Sequence, residues 1–314
     1  MFRLSRFRTK YLDIELTRLR NLRIRIVERP GIWMAPEERG RLIDDLNAVV
    51  AATVTHGVLN YGVLTGDKQR LDNAILTVIY DGDTGRPVAF NALSIMTVTL
   101  RAREEEVVHL GLAMVDPNFR SKGLSWVLYG LTIMLIFSHR QLRCLWVSNV
   151  TQVPSVVGMM AERFDRVFPC PHRKSRRTHD HFVIAQQIMQ HHRGVFGVAP
   201  TAGFDAERFI ITDAYTGGSD NLKKTYEATP KHRNDIYNQM CLEQLDYQRG
   251  DDFLQLGQFT VPAARRYLLR SVPRSSLGWI LRQALFLLIG ATLLPVLHWF
   301  TPSKQLGDLR PWTR

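Results

Sequence analysis

In PEERGRLIDDLNAVVAATVTH, residues 36–56, the apolar positions Leu42, Ile43, Leu46, Val49 and Val50 recur at the spacing of one helical face. Pro36 stands where a first helical turn tolerates a missing N–H. The pattern then changes. NAILTVIYD (73–81) and PVAFNALSIMTVTL (87–100) are rich in β-branched residues and flank the turn-forming DGDTGR, so they are predicted to pair as a hairpin. A charged patch from Arg101 to Glu106 leads into VVHLGLAMV (107–115), a third strand by composition, and RCLWVSNV (143–150) is a fourth. PSVVGMMAERFDRVF (154–168) reads as a helix opening at Pro154. Helix, two strands, a third strand, helix, strand and helix describe an α/β unit.

Within VVHLGLAMV, a period of two places His109, Gly111, Ala113 and Val115 on one face and Leu110, Leu112 and Met114 on the other. The second face is bulky and belongs in a core. The first has one imidazole and then small side chains, which leaves backbone amides open to a ligand lying along the strand. Pro117 ends the strand. The amides of Arg120 to Ser125 are then expected at the opening of the next helix, where unpaired N–H groups and the helix dipole attract an anion. Arg120 and Lys122 add positive charge, and a diphosphate fits the turn. The helix itself, LSWVLYGLTIMLIFSH, is apolar nearly all round and needs cover on several sides.

Arg120, Ser121, Lys122, Gly123, Leu124 and Ser125 resemble motif A of the GNAT acyltransferase superfamily. That signature runs Gln or Arg, two residues, Gly, one residue, then Gly or Ala, and Ser125 departs from it at the last place. The resemblance covers roughly residues 33–170, with a strand before the loop, a strand after it at 142–149, and Asn149 followed by a helix. It implies a GNAT-like α/β core with a mixed α+β sheet. The implied reaction moves an acyl group from a pantetheine thioester, acyl-CoA or acyl carrier protein, to an amine by direct attack. Such an attack needs a base for the ammonium proton and donors at the thioester oxygen. The family's base position, six residues ahead of the Val before the loop, falls on His109, and neutral imidazole is a competent base. Glu104, Glu105 and Glu106 stand in reserve. By the same resemblance Ala113 and Val115 offer backbone N–H groups to the thioester and pantetheine. The Tyr with which many members protonate the thiolate is missing from PSVVGMMAERF, leaving Ser148, Asn149 and Ser155 as substitutes.

Composition narrows the partners. With 314 residues, 45% hydrophobic and 22% charged, the chain reads as globular, and its net charge of +12 favours an anionic partner. Cys144, Cys170 and Cys241 are far apart and odd in number, which argues against a disulfide framework and for a reducing compartment. The N-terminus lacks a secretory apolar stretch and carries Asp13, Glu15 and Glu28, so it reads as mature sequence. Residues 170–192 gather Cys170 and five histidines, yet their spacing matches no paired-ligand zinc module; a basic loop is expected and no metal.

Four segments result: a basic amphipathic arm at 1–32, the acyl-thioester core at 33–170, an appended α+β acceptor-side region at 171–265, and a basic, apolar, membrane-associating tail at 266–314. Tyr237, Asn238, Arg249, Asp251 and Asp252 are candidates for lining an acceptor pocket. In the tail, Ala284 to Leu297 is apolar, with Trp279 and Trp299 as interfacial anchors and Arg265, Arg266, Arg270 and Arg274 ahead of it. The expected protein is therefore a membrane-associated N-acyltransferase on the cytoplasmic face of the inner membrane, using acyl-CoA or acyl carrier protein and no metal. Its acceptor would be an amphiphilic amine at an anionic membrane surface, as in the bacterial ceramide synthases and N-acyl amino acid synthases that it resembles in layout. A soluble GNAT N-acetyltransferase acting on small amines or protein lysines is the first alternative. The second is a non-catalytic nucleic-acid-binding protein with a degenerate GNAT domain. Nucleic acid is not an expected partner, because exposed interleaved aromatics and a reading helix are missing.

Overall fold

β3 (Ala74–Asp81) is an apolar run buried along all but its last residue, so both its faces require cover and it takes a central place in a sheet. The computed structural model describes residues 10–19, 21–54, 62–124, 126–172, 175–216 and 223–273, with isolated positions 278, 282 and 285. Side chains are described for these except at 17–19, 121 and 122. Among them, eleven strands share one mixed sheet, whose path runs β1-β2-β3-β4-β5-β7-β11-β10-β9. The strands on this path include β1 (Asp13–Leu19), β2 (Leu22–Glu28), β4 (Pro87–Leu100), β5 (Arg103–His109), β7 (Leu145–Thr151) and β11 (Asp252–Phe259). β9 (Gly203–Asp205) and β10 (Ile210–Thr212) close the far edge; β6 (Ala113–Val115) pairs with β4, and β8 (Asp165–Phe168) with β11. The β5–β7 pair is parallel, as a strand-helix-strand crossover requires.

The predicted hairpin forms as β3 and β4, with Thr77 opposite Asn91. α2 (Pro36–Thr53) opens at Pro36 with Glu37 and Glu38 in its first turn, where they complement the helix dipole, and it buries Leu42, Leu46 and Val49 against the sheet. α1 (Pro30–Trp33) follows β2, α3 (Lys68–Asp72) precedes β3, and α7 (Asp235–Gln244) precedes β11. After the loop, a π-helix at Trp126–Leu131 runs into α4 (Thr132–His139), and α5 (Pro154–Arg163) follows β7. These helices and α8 (Val261–Arg270) cover one face of the sheet; α2 and α6 (His179–Gln187) cover the other.

Two expectations change. Residues 13–28, assigned to an amphipathic arm, are a β-hairpin at the sheet edge. LRIRIVE alternates with period two: Leu22, Ile24 and Ile26 enter the core, while Arg25 pairs with Asp13 and Glu38 and Arg23 lies 3.7 Å over the Tyr80 ring. Residues 252–259, assigned to an added layer, pair with β7 along its whole length and extend the core sheet itself. Tyr237 and Asp252 are accordingly buried within the packing. No helix among the described residues is long and apolar enough to cross a membrane. The apolar run 284–297 and its flanking tryptophans lie outside the described residues apart from position 285.

Candidate active site at a fork in the sheet

β5 and β7 pair at Val107–Trp146, Val108–Val147 and His109–Ser148, and the Leu110 N–H donates to the Ser148 carbonyl at 2.8 Å. There the pairing stops. The continuing strand, β6, stays with β4, and the later part of β7 is held by β11, so the sheet forks just beyond His109. Ala92 N–H donates to the Leu112 carbonyl and Asp116 N–H to the Val88 carbonyl, both at 2.8 Å. Alternate residues of a strand address opposite neighbours, so the N–H groups of Ala113 and Val115 point away from β4 into the fork.

The register also corrects a face. Ser94 opposes His109 while Asn91 opposes Ala113, so three steps on β4 match four on the other strand. This extra residue is a bulge over Leu110–Leu112. His109 therefore faces the α6 side, with Val107, whereas Ala113 and Val115 face the π-helix side, contrary to the shared face that a strict period of two predicted. Tyr129 on the π-helix donates its hydroxyl to the Gly111 carbonyl in the bulge at 3.1 Å.

His109 is 2% exposed, its Nδ1 is 3.0 Å from Ser148 Oγ, and the Phe196 ring lies 5.0 Å away. Burial pushes its pKa down to about 4, so the imidazole is neutral above that pH and able to accept a proton. Ser148, weighed as a proton donor to sulfur, is thus the partner of this imidazole. Glu106 does not stand in reserve: its carboxylate is held by Arg29 at 2.9 Å and by Arg140, which also grips Glu28 at 2.7 Å. Asn149 faces the π-helix side, is buried, and its Nδ2 has no hydrogen-bond partner. A buried unpaired donor is costly, and here it sits beside the fork, where a carbonyl oxygen would satisfy it.

The loop differs in detail from the expected run of free amides. Asp116, buried and paired with Arg86 at 2.8 Å, caps a 3-10 helix over Pro117–Lys122 by accepting from Asn118 N–H at 2.9 Å. The amides of Arg120, Ser121 and Lys122 belong to that helix. Gly123 then takes a left-handed conformation, φ 65°, and turns the chain toward the π-helix. The N–H groups of Gly123, Leu124 and Trp126 have no backbone acceptor among the described residues, and the Arg120 side chain turns back toward the strand, its Nε 3.5 Å from the Val115 carbonyl. Ser125 and the side chains of Ser121 and Lys122 lie outside the described residues.

From Gly123 a cavity of about 330 Å³ runs between the π-helix and α5, lined by Trp126, Tyr129, Met159 and Phe164, with Arg163 and Arg270 among its charged walls. α8 covers it. The Tyr267 hydroxyl donates to the Trp126 carbonyl at 2.8 Å, and its ring packs where Gly130 leaves no room for a Cβ. Sequence reasoning missed Tyr129, Phe196 and Tyr267 because each reaches the site by contact with a strand or helix remote along the chain. Among the histidines of 170–192, His172 meets the Tyr237 hydroxyl at 2.8 Å and His181 the Arg166 carbonyl at 2.7 Å; no group of three metal-ligating side chains occurs among the described residues.

No family model and no curated protein matches the sequence. Solved structures match parts of it. A Trypanosoma brucei acetyltransferase is 22% identical over 38% of this chain and 76% of its own, with a TM-score of 0.27. The glucosamine-6-phosphate N-acetyltransferase of Arabidopsis thaliana is 20% identical over 37% and 75%, with a TM-score of 0.25. The ribosomal-protein-S5-alanine acetyltransferase of Vibrio fischeri is 14% identical over 48% and 81%, with a TM-score of 0.30.

Proposed function

We propose that this chain transfers an acyl group from acyl-CoA to an amine. The observation that supports the reading most is the fork. Two strand amides, Ala113 and Val115, are directed into a gap where β6 and β7 have separated, and the strand leads straight into a basic loop whose Gly123, Leu124 and Trp126 amides have no backbone acceptor among the described residues. Peptide-like carbonyls of a pantetheine arm suit those strand amides and Asn149 Nδ2, and a diphosphate suits the amides of Gly123, Leu124 and Trp126, with the positive charge of Arg120 three residues ahead in the chain. On the other face His109 accepts the amine proton. The nitrogen lone pair forms the new C–N bond as the thioester C–S bond breaks, and the thiolate takes a proton. Tyr129, half-buried at the bulge, is the described hydroxyl best placed beside the fork to supply that proton.

A long-chain donor, used at an anionic membrane surface, forms the finer reading. It is favoured by the largely apolar cavity and by α8, which exposes Leu269 beside Arg265 and Arg270 just ahead of the apolar stretch 284–297. This reading places the protein on the cytoplasmic face of the inner membrane. An acyl carrier protein would present the same pantetheine arm without the adenosine portion of CoA.

The test is thiol release from acetyl-CoA and palmitoyl-CoA by the detergent-solubilised protein, with amines added one at a time. Amine-dependent release is the expected result; absence of CoA binding by calorimetry overturns the proposal. Gly123→Val is the loop probe. Nothing stands within 4 Å of a Cβ at Gly123, so the penalty is confined to its φ of 65°, about 1–2 kcal/mol. A donor KM raised roughly tenfold, with the amine KM unchanged, is expected.

A further inference from the structure

The face of the sheet opposite the donor cavity carries a second cleft, of about 450 Å³. Asp67 and Arg70 come from the start of α3, Ser94 and Thr97 from β4, and His191 and His192 from the turn after α6. Arg70 is fixed from across the cleft, its Nη2 donating to the Gly194 carbonyl at 2.9 Å, and His192 Nε2 lies 2.9 Å from the Thr97 carbonyl. His109 sits behind the inner end. Ser94 opposes it directly across the β4–β5 ladder, on the same face, and Phe196, next to the cleft residue Val195, sets its ring 5.0 Å from the imidazole at a tilt of 33°.

From this arrangement we infer that the cleft admits the acceptor, and that the acceptor is a small polar amine carrying a carboxylate or phosphate. This rests on the acyl-transfer reading and names the substrate class of that same site. The cleft wall is polar, so it recognises hydrogen-bonding groups rather than an alkyl chain. Arg70 keeps guanidinium N–H groups beyond the one spent on Gly194, which suits a carboxylate or phosphate oxygen. Asp67, at the same rim, rejects a second anionic group. An acceptor held this way brings its nitrogen to the His109 side of the fork while the acyl donor occupies the other face. An apolar donor cavity and a polar acceptor cleft can then serve one reaction.

Steady-state acylation by the full chain tests the inference, with glycine, serine, phosphoethanolamine, glucosamine and sphinganine as acceptors. The carboxylate or phosphate amines are expected to be preferred, and comparing glycine with phosphoethanolamine identifies which anion is read. Arg70→Ala is expected to raise their KM about 10- to 100-fold, the loss of a charged hydrogen bond, with donor KM within twofold. His191→Ala, at an exposed position, provides a second variant in case Arg70→Ala folds poorly. A preference for sphinganine, or an acceptor KM unmoved by both variants while thiol release persists, overturns the acceptor assignment alone. Absence of any donor binding overturns it together with the acyl-transfer reading.

Discussion

His109→Gln is expected to lower kcat/KM for amine acylation by about 10²–10⁴-fold, the usual contribution of a positioned general base. Glutamine keeps most of the buried volume and offers Ser148 Oγ an amide partner, so the loss reports proton transfer rather than a collapsed site. The pH profile gives a second, independent mark. Because burial holds the imidazole pKa down to about 4, the acid limb of kcat/KM should fall near pH 4, where a solvated histidine would place it near 6.5. Folding is affected in the same window. The folded pKa lies below the unfolded one, so the neutral side chain's contribution is full above 6.5. It is lost as pH drops toward 4, by about 3 kcal/mol in all. Unchanged kcat/KM in the glutamine variant would place the base elsewhere.

The second large effect is on stability and has the opposite sign. Asp252 is buried on β11; desolvation, opposed by the Tyr215 hydroxyl at 3.0 Å and reinforced by Asp251, raises its pKa to about 7. A folded pKa above the unfolded value of 3.8 means the favourable contribution is complete below 3.8 and is lost as pH rises through 7. At pH 8.5 the wild type therefore holds an ionised carboxylate in the core at a cost of about 4 kcal/mol. Asp252→Asn retains an acceptor for Tyr215 and removes that charge. Urea melts should show the variant more stable at pH 8.5, by up to about 4 kcal/mol, and indistinguishable at pH 3.5. Equal stability at both pH values would show that Asp252 stays neutral or hydrated throughout.

Much of the central sheet could be read in advance where one signal dominated. α2 announces itself by Leu42, Leu46 and Val49, and the β3–β4 hairpin by β-branched runs around DGDTGR. The strand through His109, the loop glycine and the helix from Pro154 were legible for the same local reasons. The N-terminal hairpin was not, because the density of arginines hid the alternation of LRIRIVE. The bulge at Leu110–Leu112 has no marker beyond Gly111, yet that one residue reverses the relation of His109 to Ala113. Phe196 over His109, and Arg29 with Arg140 on Glu106, are contacts between segments remote in the chain, which no local period encodes. The candidate base was therefore visible, and the environment that sets its pKa was not.

The pairing of β11 with β7 bears on how the molecule is made. Trp146 and Asn149 find their backbone partners at Gln258 and Gln255, strand positions synthesised long after the loop and its helix. While the ribosome adds the intervening residues, the outer edge of β7 is bare in the nascent chain, an open template for pairing with other strands. Such far-separated pairing also forms slowly once the whole sheet is available. The fork would thus gain its outer wall only once Phe259 has been added, and a nascent-chain arrest before Phe259 should yield no donor binding even though the basic loop has already emerged.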